Sequence, residues 1–225
     1  MGFINRLLGL EPSIIKQIGH GLKNGCDTGE TGEWLSEYMI NNGFIKGNFK
    51  TLRNIYVPHK GRTSEIDVLI IHEKGIFVLE SKNYSGWIFG SENQGYWTQS
   101  LPNKQKNKFY NPIKQNRTHI TALSNYLELD KDKFMSFIVF SERCELKKVP
   151  DDTEKYLIFR RHLLHKKLRL YLEKKEVIFA PEQVDEIANK LKSLTEVSDE
   201  VKQEHVNNIN TRFNNDNNIN ISRVK

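Results

Sequence analysis

The chain has 225 residues, 37% hydrophobic and 28% charged, enough for one substantial domain with a buried core and appendages. Lysine and arginine outnumber aspartate and glutamate by 34 to 28, giving a net charge of +6 and an isoelectric point near 9.1, which permits a polyanionic partner without requiring one. Two distant cysteines, Cys26 and Cys144, argue against a disulfide framework or a zinc cluster, and no apolar run reaches the length of a membrane span, so a reducing cytoplasmic setting is expected.

Residues 1–28 read as a leader of uncertain order, amphipathic but unlike a signal peptide. The spacing of Trp34, Leu35, Tyr38 and Met39 predicts a helix over 29–42, closed by Asn42-Gly43. A short strand is expected at 52–57, stopped by Pro58, then a polar loop over 59–64. Two β-rich runs, 65–71 and 76–82, are joined by His72-Glu73-Lys74-Gly75 as a hairpin. A second hairpin is expected over 86–99, followed by a lysine-dotted loop over 101–110. Asn111 should cap a helix that starts at Pro112 and runs to about Leu129. Strands at 133–140 and 156–159 and amphipathic helices at 161–174 and 181–194 complete a domain over 29–195. The asparagine-rich stretch 196–225 buries too little to offset its ordering entropy and is expected to be a disordered tail.

The chemistry concentrates on the 65–82 hairpin. A two-residue turn at Glu73–Lys74 would oppose Asp67 to Glu80 and Glu65 to Lys82, with all four side chains on one face. Apolar residues fill the rest of both faces, which asks for a sheet covered by helices on both sides. Facing carboxylates repel, and a divalent cation between Asp67 and Glu80 would remove the conflict; their hard oxygens suit Mg²⁺ or Mn²⁺. Lys82 could then position or deprotonate a water, or stabilise charge on a phosphate. Alternatively, Glu65–Lys82 is an ordinary cross-strand ion pair and Asp67 marks a strand end.

Glu65-Ile-Asp67-Val-Leu-Ile-Ile, Gly75-Ile-Phe-Val-Leu-Glu80-Ser-Lys82-Asn-Tyr, Gly86, Trp97 and Asn111-Pro112 with Gln115 together resemble the NERD, or nuclease-related, domain over roughly 29–129. That family is placed in the PD-(D/E)xK nuclease superfamily, with Asp67 standing for its first acid and Glu80-Ser81-Lys82 for its (D/E)xK. The resemblance implies a restriction-endonuclease-like α/β core, with a central mixed sheet flanked by helices, and a metal-dependent nuclease site. It also gives Glu33 a role toward the metal and places Gln115 near the site, although either would serve as a plain helix residue.

Substrate contact is expected from Lys104, Lys106, Lys108, Lys114 and Arg117, interleaved with Phe109 and Tyr110, unless these form a solvated loop. The basic cluster from Arg160 to Lys167 reads as a wet helix face, and His20, His59, His72 and His119 mostly as solvent or turn residues. No P-loop ending, HExxH, GxSxG or Cys–His pairing is present. The expected function is cleavage of phosphodiester bonds in nucleic acid, DNA before RNA. The alternatives are a catalytically silent nucleic-acid-binding or scaffold module, and an interaction protein recruiting partners through its asparagine-rich tail and N-terminal leader.

Overall fold

The structure is a computed structural model that describes residues 45–201, 203 and 207. The expectations for the leader, the 29–42 helix with Glu33, His20 and most of the 196–225 tail concern residues outside that set. Within the expected tail, residues 199–201 are helical.

In chain order the elements are β1 (Phe49–His59), β2 (Arg62–His72), β3 (Gly75–Lys82), β4 (Gly86–Phe89), β5 (Tyr96–Ser100), β6 (Lys106–Tyr110), α1 (Pro112–Leu127), β7 (Phe134–Phe140), β8 (Cys144–Lys148), β9 (Tyr156–Arg160), α2 (Leu164–Leu172) and α3 (Pro181–Lys192). A five-stranded mixed sheet runs β1-β2-β3-β7-β9, antiparallel through β3 and parallel from β3 to β9. A four-stranded sheet runs β6-β5-β4-β8.

The 65–82 hairpin forms in the expected register, with His72 opposite Gly75 and Val68 opposite Leu79. Three expectations differ. Pro58 does not stop β1, because β1 is an edge strand and a missing N–H is tolerated there. The 59–64 loop is instead a tight hairpin, with Lys60 and Gly61 at φ of 50° and 72°, the left-handed pair that a mirror-image two-residue turn requires. The lysine loop is half strand: Lys106 to Tyr110 pair with β5. The charged strand β8 was not anticipated at all.

Apolar alternation sorts the main sheet into two packed faces. Leu69, Ile71, Ile76 and Val78 meet Ala122 and Leu123 of α1 and Val184 and Leu191 of α3. Val68, Ile70, Phe77, Leu79 and Phe137 meet Leu164, Leu168 and Leu172 of α2. Each fully buried ring such as Phe77 or Phe137 contributes roughly 1.5–3 kcal/mol of burial. Trp97 of the smaller sheet stacks on Phe140 of the larger, at 6.2 Å and 3°, so the two sheets share a core. Among the described residues, no helix is long and apolar enough to cross a membrane.

Candidate active site

The site lies where β2 and β3 part. Their pairing ends at Val68–Leu79, while β3 continues beside β7 to Lys82–Phe140. In the opening, Asp67 Oδ2 accepts the backbone N–H of Ser81 at 2.7 Å, so a side chain replaces the missing ladder bond. Asp67 therefore sits beside the Glu80–Lys82 segment without pairing in register with Glu80.

On the other side of Asp67 the β1–β2 ladder is interrupted at one pair, with the same register before and after it. It runs Arg53–Val68, then Ile55–Ile66, and skips Asn54, whose φ is 51°. Strand alternation flips across this break: Ile66 packs with Leu69 and Ile71, whereas Val68 packs on the opposite face with Ile70. Glu65 is thereby turned away from Lys82, and its Oε1 accepts from the Tyr56 hydroxyl at 2.6 Å. The expectation that Glu65, Asp67, Glu80 and Lys82 share one face fails for Glu65, because the parity rule holds only along an unbroken strand.

Glu80 and Lys82 point at α1. The Glu80 carboxylate is 1% exposed, with Oε1 at 2.7 Å from Lys82 Nζ and Oε2 at 3.0 Å from His119 Nε2. Lys82 Nζ also donates to Gln115 Oε1 at 3.1 Å, and His119 Nδ1 lies 2.6 Å from Ser64 Oγ. With Nε2–H donated to the carboxylate and Nδ1 bonded to the Ser64 hydroxyl, the contacts form the chain Ser64, His119, Glu80, Lys82, Gln115. Burial pushes the Glu80 carboxyl up, but the Lys82 charge and the His119 hydrogen bond prevail and hold it below the usual glutamate value. Burial pulls Lys82 down, yet Glu80 and Asp67 outweigh it and hold the ammonium above the usual lysine value. At neutral pH both groups are charged.

The helix carrying Gln115 and His119 is fixed at its start and along its buried side. Asn111 Oδ1 caps Ile113 N–H at 2.9 Å, and its Nδ2 donates to the carbonyls of Ser91, Glu92 and Gln94. Asn116 Nδ2 donates to Val78 O at 2.7 Å and Ser136 Oγ at 2.8 Å, clamping α1 across β3 and β7.

Of the residues expected on sequence, Asp67, Glu80, Lys82 and Gln115 converge. His119 and Ser64 were missed. His119 is buried rather than a solvent residue, as is His72, which bonds Lys46 O and Lys74 N–H. The spacing of His119 four residues after Gln115, inside the stripe of Ile113, Asn116 and Leu123, was the available signal.

The five basic residues divide. Lys104, Lys106 and Lys108 are exposed on the smaller sheet and its turn. Lys114 Nζ is bound to Asn93 O at 2.8 Å, and Arg117 pairs with Glu92 at 3.3 Å, so both brace the 92–93 loop. The Arg160–Lys167 cluster is not a wet face throughout: Arg161 is 7% exposed, and His162 binds Glu142 at 2.6 Å.

Comparison with known proteins bears on the family. The nuclease-related domain model matches residues 28–141. An uncharacterized protein of Bacillus anthracis, pXO1-01, is 31% identical over 186 residues, covering 82% of this chain and 85% of that one. A solved protein of unknown function, AF1548, aligns over 80% of this chain and 96% of its own at 12% identity, with a TM-score of 0.29, too low to bear on the fold. By the extent of the family match and by this relative, the chain belongs to the NERD (nuclease-related domain) family.

Proposed function

We propose that this protein is a divalent-metal-dependent nuclease that hydrolyses phosphodiester bonds of nucleic acid, DNA in preference to RNA, at the Asp67–Glu80–Lys82 fork. The observation that carries this reading is a buried, ionised carboxylate at Glu80 with Asp67 in the adjacent strand opening. The donor set fits a hard cation. Mg²⁺ takes one or two carboxylates and retains waters, so Asp67 and Glu80, with Glu33 from outside the described residues, would hold Mg²⁺ or Mn²⁺. Such an ion supplies Lewis-acid polarisation of phosphoryl oxygens and a more acidic water.

The chain's own groups do the rest. Lys82, kept protonated by Glu80 and Asp67, is suited to stabilise charge on a phosphate oxygen rather than to remove a proton. Gln115 fixes the direction of its ammonium, and His119 fixes the Glu80 carboxylate. The test is cleavage of DNA by the purified full chain with Mg²⁺ or Mn²⁺. Asp67→Ala and Lys82→Ala should each abolish it, and cleavage persisting in both would mean the site is elsewhere.

One observation favours a second reading. Lys82 Nζ already occupies Glu80 Oε1 at 2.7 Å, as in a self-neutralised fork that binds nucleic acid without turning it over. Salt-sensitive DNA binding with no divalent-dependent cleavage would select that reading.

A further inference from the structure

The smaller sheet has one face packed into the core and one open. Ile88, Trp97 and Phe109 are buried against Phe140. On the open face Trp87 is 48% exposed and Phe89 36%, two large rings on a four-residue strand. Pairing registers align each ring with a lysine two strands away: Trp87 with Ser100 and then Lys106, and Phe89 with Thr98 and then Lys108. From β8, Lys147 Nζ lies over the Trp87 ring at 5.7 Å and pairs with Glu145.

We infer that this open face is a platform for single-stranded nucleic acid, with bases stacked on Trp87 and Phe89 and phosphates held by Lys106 and Lys108. Exposed aromatics in soluble proteins signal a partner, and the partner's chemistry follows from what surrounds them. Lysines two strands, about 10 Å, from the rings leave room for a sugar between base and phosphate. The rings accept any base, because every base has a π-face, and the lysines accept any phosphate. A purely apolar protein partner would leave Lys106 and Lys108 desolvated without counter-charge, whereas a polyanion satisfies them. The platform is also tethered to the fork: four residues lie between Lys82 and Trp87, at most about 18 Å of chain. This inference deepens the nuclease reading by naming an unpaired strand as what the site receives.

The test is fluorescence anisotropy of a labelled oligothymidylate with the full chain in excess chelator, so that binding is read without cleavage. Wild type should bind the single strand more tightly than a duplex of the same length. Trp87→Ala/Phe89→Ala should weaken that binding about ten-fold or more, and Trp87→Tyr/Phe89→Tyr should restore most of it. Lys106→Gln/Lys108→Gln should lower the salt slope by about 1.4, at about 0.7 per phosphate contact. Unchanged affinity in Trp87→Ala/Phe89→Ala overturns the inference. So does self-association in wild type that this variant abolishes, since the face would then cover a second copy. If the oligonucleotide binds as described but no divalent ion elicits cleavage, the nuclease reading fails and the platform stands; cleavage with unaltered binding in the ring variants gives the reverse.

Discussion

The imidazole of His119 donates to Glu80 across 3.0 Å, linking a helix to a strand between two residues 39 apart in the chain, both buried. This bond and the Lys82 ion pair are what allow a carboxylate to remain charged with almost no contact to water. The candidate metal ligand is thus aimed by a group on a different element from Asp67 and Lys82.

His119→Ala should lower unfolding free energy by about 1–3 kcal/mol, the cost of leaving a buried acceptor without its donor. Mn²⁺ affinity should fall with it, because Glu80 loses its fixed direction. His119→Gln, whose amide can reach Glu80 in place of Nε2–H, should recover part of both. Urea unfolding and calorimetric titration of Mn²⁺ measure the two effects. An alanine variant as stable and as metal-competent as wild type would remove His119 from the site.

Much of this arrangement was readable in the sequence, for a local reason. Glu80 and Lys82 share a face through strand parity, and the His72–Gly75 turn fixes the register of Val68 with Leu79. What was not readable depends on distant chain. The parity flip that turns Glu65 toward Tyr56 lies where Asn54 on the neighbouring strand adopts a positive φ. Strand β8 is charged at Glu145, Lys147 and Lys148 and offers little alternation, because it only edges the smaller sheet beside β4. Composition groups Lys114 and Arg117 with the other basic residues, yet the 92–93 loop, folded back against α1, takes both.

The pH dependence of stability follows from the same pair. Glu80 has a lowered folded-state pKa, so its contribution is present above the unfolded value of about 4.3 and is lost as pH falls through the lower folded value. Lys82 has a raised folded-state pKa, so its contribution is complete below about 10.4 and is lost as pH rises through the higher folded value. Between these limits the pair adds no slope. Lys82→Met should shift the acid limb toward neutral pH, because Glu80 would keep its burial and lose its nearest positive charge. Urea midpoints measured across the acid range test this; an acid limb identical to wild type would mean the pair is not coupled.

Asp67→Asn offers a cleaner probe of the fork than truncation. The amide oxygen can still accept the Ser81 N–H, so the strand opening should survive and stability should change by less than about 1 kcal/mol. The negative charge is gone, so Mn²⁺ affinity should drop at least ten-fold and cleavage should vanish. Calorimetric titration beside thermal unfolding separates the two effects. Loss of fold together with metal binding would instead make Asp67 a structural residue.

Asn111 is wholly buried and joins the start of α1 to the 91–94 turn, with its oxygen capping the helix and its amide giving bonds to three carbonyls. Asn111→Ala should destabilise the fold by about 2–3 kcal/mol, combining a lost cap with stranded carbonyls. Asn111→Asp keeps the cap acceptor but sets a carboxylate against those carbonyls, so it should be no better than alanine although aspartate caps helices as well as asparagine elsewhere. Urea unfolding of both variants decides between the two roles. If Asn111→Asp matches wild type, only the cap matters, and the turn contributes nothing to holding Gln115 and His119 over the fork.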